Sequence, residues 1–246
     1  MSKNLVWDIP TRLFHGLFAA GFVAAAVISL VLGDDSPLFP YHAIIGLAIT
    51  LIVCLRVVWG LVGSRYARFS SFAFGPAAVG QYMKATLFGG GKRYIGHNPG
   101  SAYAIFAMLA LMIGLAATGF MMGQGNESVK DIHEVLAYIM VGVVIAHVLG
   151  VVLHTIRHRE NIVASMIHGR KDADPAEGIR SAHPALAVAV LAVVGAWSFG
   201  LIRNFDPTTQ TTRLPVLGTS LQIGEVENEG SGERGRADTK RHDDDD

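Results

Sequence analysis

The chain has 246 residues, 51% hydrophobic and only 16% charged, with a formal net charge of zero and a mean hydropathy of +0.39; this excludes an ordinary soluble domain and makes a membrane protein the expectation. Balanced charge gives no bulk attraction for nucleic acid or other polyanions. The single cysteine, Cys54, lies inside an apolar run, which excludes an intrachain disulfide framework, covalent CxxCH cofactor attachment and cysteine-rich zinc or iron-sulfur sites.

Crossing the hydrocarbon core takes about 20 apolar residues at about 1.5 Å each. Five segments meet that length, at 13–32, 42–62, 102–122, 132–154 and 184–202. Lys3 and Arg12 precede the first as they would in a signal peptide, but the run is long and ends in VLGDDSP without an A-x-A-like cleavage site. It is therefore read as a permanent helix. The 63–101 connection contains GPAAVGQYMKATLFGG, which suits a short helix at the membrane interface or an ordinary linker helix.

Basic residues divide by connection. Lys3 and Arg12 precede the first span, Arg65, Arg68, Lys84, Lys92 and Arg93 follow the second, and Arg157, Arg159, Arg170, Lys171 and Arg180 follow the fourth; the alternate loops, GDDSPLFPY and GQGNESVKDI, hold only Lys130. Since cytoplasmic loops carry the Lys and Arg excess, the N-terminus is predicted cytoplasmic and the two short loops external. The fifth span then places the tail outside. From 203 to 246 that tail holds six basic and ten acidic residues, and its polar, glycine-rich second half reads as disordered.

Of ten histidines, His15, His42, His133 and His147 fall within the expected spans and His154 at the inner end of the fourth. An imidazole in hydrocarbon needs a partner, and one alone is often a structural hydrogen-bonder. These four sort by depth, His42 with His133 on the external side and His15 with His147 on the cytoplasmic side. His133 and His147 are 14 residues apart on one helix, a separation of about 21 Å with the side chains about 40° apart around the axis.

Two neutral imidazoles facing one another across a bundle suit a flat metal macrocycle such as haem, bound from both faces. Two such sites stacked across the bilayer make an electron path. Zinc sites need three or four protein ligands, and Glu134 is the one carboxylate at matching depth. A histidine proton relay does not require pairing by depth. Gly46, Ala19 and Gly150 lie on the faces of His42, His15 and His147, where a porphyrin needs close approach and where helix packing also favours small residues. Arg56, inside the second span, suits a haem propionate or snorkels to the interface. His154 suits an alternative inner ligand, a propionate contact or an interface residue.

Four ordered stretches, VWDIPTRLFHGLF, RVVWGLVGSRYARF, YIGHNPGSA and HVLGVVLHTIRHRENIVASMIHGRK, resemble the bacterial cytochrome b-561 family, which includes the b-type cytochrome subunits of nickel-iron hydrogenases. The resemblance covers about residues 5 to 171. It implies an all-α integral membrane fold, a four-helix di-haem transmembrane bundle to which this chain adds a fifth transmembrane helix. It implies two b-type haems with bis-histidine ligation, His15 and His147 on the cytoplasmic-side haem iron and His42 and His133 on the external-side one, so that His147 is preferred to His154. His97, in GHNPG, is a candidate for a propionate contact or an interface role. The implied function is electron transfer between membrane quinone and a partner redox protein, such as a c-type cytochrome or a hydrogenase-like complex, in the bacterial inner membrane. The alternative is a non-redox membrane anchor, or a metal or proton transporter using the intramembrane histidines. Domain organisation follows as 1–171 for the haem bundle, 172–203 for a connection and the fifth helix, and 204–246 for a polar, partly disordered external tail.

Other motifs carry less. GGGKR at 89–93 lacks Walker spacing and a following Ser or Thr. The RYAR, GGGKRY and HGRK clusters suit anionic membrane lipid and equally satisfy the positive-inside requirement. There is no Ser-His-Asp constellation, and no nucleic-acid partner is expected.

Overall fold

The computed structural model describes residues 2–90 and 92–224. Its long helices are α1 (Ile9–Val27), prolonged by a π-helical turn over Ile28–Leu32, α2 (Phe39–Val62), α4 (Pro99–Gly123), α5 (Lys130–His158) and α7 (Pro184–Arg203). All five are long and apolar enough to cross a membrane, as the sequence pattern predicts. Shorter helices α3 (Pro76–Phe88) and α6 (Ile162–His168) lie in the connections; α3 is the short helix expected in GPAAVGQYMKATLFGG.

Most of the spans begin a few residues before their apolar runs, and in α1 and α4 a polar side chain caps that start. Asp8 accepts a 2.7 Å hydrogen bond from the Thr11 amide at the head of α1, and Asn98 forms a reciprocal capping box with Ser101 on α4. Pro10, Pro40, Pro99 and Pro184 occupy first turns, where the missing amide hydrogen costs no helical bond.

Helices α1, α4 and α7 start at one end of the bundle, here the base, and α2 and α5 start at the opposite end, the top. Helix α2 is central and packs on α1, α4 and α7, while α5 packs chiefly on α4. Three apolar layers stack along the bundle. Phe14, Ile52, Val190 and Val194 join α1, α2 and α7 toward the base. Ile49, Val53, Met112 and Met140 fill the middle. Ile44 and Leu201 form the top layer with Leu214, Leu221 and Ile223 from beyond α7.

Both ends are closed by short antiparallel sheets. At the base β1 (Ser2–Leu5) pairs with β2 (Arg170–Ala173), tying the N-terminus to the segment after α6. Val6, Trp7 and Tyr66 form a small core beneath it, fixed by the Tyr66 hydroxyl donating to the Glu177 carbonyl at 2.8 Å. Gly169 ends α6 with φ +80°, a left-handed turn that favours glycine. At the top, β3 (Thr211–Arg213) pairs with β4 (Ser220–Gln222). The first half of the expected polar tail is thus folded, held by the alternately buried Leu221 and Ile223; its second half lies outside the described residues.

Two polar knots lock the base. Asp8, 1% exposed, accepts hydrogen bonds from the Trp59 indole at 3.3 Å and from the Ser64 hydroxyl, joining α1 to the end of α2. Glu160 meets the Lys171 ammonium at 3.0 Å, the His154 ring at 3.9 Å and the Arg93 guanidinium at 4.0 Å, and the Tyr82 hydroxyl contacts His154 Nδ1 at 3.1 Å. This second knot gathers α3, the end of α5 and β2.

Asp8→Ala removes the acceptor shared by three donors and is expected to cost about 1–3 kcal/mol, read as earlier thermal unfolding in detergent; an unchanged midpoint would dismiss the knot. The Glu160 carboxyl is held down at about 2, by the hydrogen bond with His154 first and by Lys171 and Arg93, against burial. A depressed acid stabilises the fold above its unfolded value of 4.5, and the gain disappears as pH falls through the folded value. Glu160→Gln should therefore lose stability at pH 5 to 7 and converge on the parent as pH approaches 2, as followed by pH-dependent thermal unfolding. Equal stability at every pH would contradict this.

Candidate functional site

At the top, His42 sits in the first turn of α2 and His133 in the first turn of α5. Their ring centroids are 6.4 Å apart with the planes at 76°. Each ring is fixed through Nδ1. His42 Nδ1–H donates to the Ala25 carbonyl at 2.9 Å. Ala25 stands just ahead of the π-helical turn, and its carbonyl also accepts from the Ile28 amide. His133 Nδ1 lies 2.8 Å from the Thr118 hydroxyl, whose own hydrogen goes to the Gly114 or Leu115 carbonyl at 2.9 or 3.2 Å. The Thr118 oxygen therefore accepts from His133 Nδ1–H. With Nδ1 committed to an acceptor, Nε2 is the nitrogen left on each ring to ligate a metal.

These histidines line a cavity of about 450 Å³ bounded by α1, α2, α4 and α5, with Gly46, Ala116 and Gly119 among its walls. A Cβ on Gly46 would meet nothing within 4 Å, as would one on Gly16, Gly142 or Gly150. Helices α1 and α5 carry three of the four histidines and are the least enclosed spans, 6% buried against 33% for α2. The upper cavity lies between α1–α2 and α4–α5, where a macrocycle held by His42 and His133 would fit. The 6.4 Å between the rings is of the size that one metal ion held between paired imidazoles would need.

Toward the base lie His15, in the second turn of α1, and His147, 14 residues after His133 on α5. Gly16 and Gly150 flank them with open space. Arg56 and His97 belong to the same neighbourhood. His97 is pushed down to about 3, by burial first, then by the charges of Arg56 and Lys171 and by His15 and His147, so its ring is neutral. It packs between Trp7, at 4.8 Å, and Phe72, at 4.3 Å, while the Arg56 guanidinium lies 5.1 Å from the Phe69 ring centre. Arg56 Nη1 and His97 Nδ1 are buried with no hydrogen-bond partner among the described residues. Buried polar atoms are rarely left so, and the carboxylate of a bound group would supply what they lack.

His154 is separate from this set. Its ring is buried and engaged by Tyr82 on one nitrogen and Glu160 on the other. Among the described residues no three His, Cys, Asp or Glu side chains gather as a metal-ion site, which fits a macrocycle held by paired imidazoles better than zinc. Met140, fully buried, lies seven residues from His133 and seven from His147 and divides the two histidine levels.

Sequence reasoning identifies the four histidines, Arg56 and His97 but misses Thr118, the Ala25 carbonyl and the hairpin residues Leu221, Gln222 and Ile223 that line the upper cavity. Thr118 offered one signal, a hydroxyl inside an apolar run. The others depend on long-range packing.

The model of the prokaryotic cytochrome b561 family matches residues 6–169. Curated relatives described as probable Ni/Fe-hydrogenase B-type cytochrome subunits are each 24% identical: that of Rhizobium leguminosarum bv. viciae over 211 residues, 68% of this chain and 87% of the relative; that of Bradyrhizobium diazoefficiens over 211 residues, 68% and 85%; and that of Cupriavidus necator over 212 residues, 69% and 87%. No solved structure matches the chain. The chain belongs to the prokaryotic cytochrome b561 family: it is a multi-pass membrane cytochrome of the b type, a haem-carrying component of electron transport.

Proposed function

We propose that this cytochrome holds two b haems, one between His42 and His133 at the top and one between His15 and His147 at the base, and passes electrons between the quinone pool and a partner redox protein. The observation that carries the reading is the upper pair, two rings 6.4 Å apart whose Nδ1 atoms are both committed to acceptors. When bound, haem supplies one-electron exchange at its iron, with a potential tuned by ligand hydrogen bonds and burial.

The chain's own residues orient and hold. Ala25 and Thr118 fix ring rotation and tautomer at the top. Arg56 Nη1 and His97 Nδ1 receive a propionate of the lower haem, with Trp7 and Phe72 clamping the His97 ring. His147 rather than His154 is the lower ligand, because Tyr82 and Glu160 already occupy His154. Residues 1–171 form the haem unit, and 172–203 return the chain to the top. The Lys and Arg excess at the base points it toward the cytoplasm of the bacterial inner membrane and the top toward the periplasm. The names of the relatives favour a nickel-iron hydrogenase as the class of redox partner, with a c-type cytochrome as the other candidate.

A pyridine haemochrome assay should return two b haems per chain. His42→Ala and His133→Ala should lose the same haem, His15→Ala and His147→Ala the other, and His154→Ala neither. Colourless protein, or both haems surviving His147→Ala, would overturn the assignment. A short-chain quinol should reduce the purified cytochrome in stopped flow; failure to do so would remove the quinone from the scheme.

Thr118→Val keeps the shape but leaves His133 Nδ1–H without its acceptor. Outer-shell losses of this kind cost about 10–100-fold in affinity, so one haem should dissociate at least about tenfold faster in transfer to apomyoglobin. Identical release from parent and variant would remove Thr118 from the site.

A further inference from the structure

We propose that the β-hairpin following α7 is a lid on the upper histidine site, sealing the haem held there from water and raising its reduction potential. The inference rests on the assignment of His42 and His133 as haem ligands.

The lid is built into the bundle. Leu214, Leu221 and Ile223 share one apolar core with Ile44, two residues after His42, and with Leu201 near the end of α7. Leu221, Gln222, Ile223 and Gly224 line the same cavity as His42 and His133. The contact with α4 is close at a glycine: a Cβ on Gly123 would crowd Leu221 Cβ at 3.2 Å and the Gln222 carbonyl at 3.3 Å. Three hydrogen bonds hold the edges. Gln124 Nε2 donates to the Ser220 carbonyl at 3.0 Å, Asn204 Nδ2 to the Arg213 carbonyl at 2.9 Å and the buried Thr212 hydroxyl to the Leu201 carbonyl at 2.8 Å. Helix α7 gives this segment its position, since a chain ending α5 at the base needs one more crossing to return to the top.

The physical effect follows from charge. Ferric bis-imidazole haem carries one more positive charge at its core than ferrous haem, and burial in a low-dielectric site disfavours the more charged form. Covering the upper site favours the reduced state there and leaves the lower haem alone. The cover also keeps hydrophilic oxidants from direct contact, so exchange with a soluble partner passes through or beside the hairpin.

The test replaces residues 211–223 by a glycine-serine linker of equal length in the otherwise full haem-loaded chain, with Leu221→Ser as a milder second variant. Potentiometric titration should show one midpoint falling and the other fixed, and oxidation of the reduced protein by ferricyanide should become several-fold faster. The haem that moves should be the one lost in His133→Ala. Selective loss of that haem from the linker variant would also support the lid, with Leu221→Ser then supplying the shift. Unmoved potentials and rates in both variants, or equal movement of both haems, would overturn it. Retention of both haems by His42→Ala and His133→Ala would instead sink the ligand assignment, whatever the hairpin does.

Discussion

The space between α5 and the α1–α2 pair is the constraint on which the other features depend. Helices in lipid gain nothing hydrophobic by packing together, so close association rests on van der Waals contact and hydrogen bonds. Here α5 makes its extensive contact with α4 and carries His133 against Thr118 of that helix at the edge of the upper cavity. Helix α4 is therefore a buttress. It carries Thr118 against His133, Met112 into the middle layer and Gly123 beneath the hairpin.

Holding a bundle open needs closure elsewhere, and the chain supplies it at three heights. The β1–β2 sheet and the Asp8 and Glu160 knots fix the base. The Met140 layer joins α1, α2, α4 and α5 midway, with Phe18 and Phe22 from α1 packed against it. The core around Leu221 joins the C-terminal segment to α2 at the top. Family membership makes the chain a haem-carrying electron-transfer cytochrome, and these closures hold its intramembrane histidines at two separate levels.

Features set by short-range periodicity were legible in the sequence. Five apolar runs became five membrane-length helices, and the depth argument that paired His42 with His133 needed only helix rise and alternating direction; their rings do meet. What escaped depends on contacts between residues far apart in the chain. Strands β3 and β4 have three residues each, too short for alternation to stand out, and their burial comes from Ile44 and Leu201 on other helices. The family resemblance prefers His147 to His154 as ligand, and what only the fold adds is the environment of His154, on which Tyr82 of α3 and Glu160 beyond α5 converge. Several basic residues counted only as topology signals are also structural: Arg12 donates to the Met166 carbonyl at 3.1 Å, and Lys171 is almost wholly buried against Glu160.

The Met140 layer bears on membrane energetics. Ile49, Val53, Met112 and Met140 form a buried apolar layer between the two histidine levels, which on the two-haem reading an electron would have to cross. The histidine levels are about 21 Å apart along α5, roughly two-thirds of a hydrocarbon core of about 30 Å. At about 2.3 kcal/mol per charge for each 100 mV of full crossing, the same fraction of the transmembrane voltage adds to or opposes every transfer. On that reading transfer between the levels would be electrogenic, and the charge on the membrane would shift the redox poise of one level against the other.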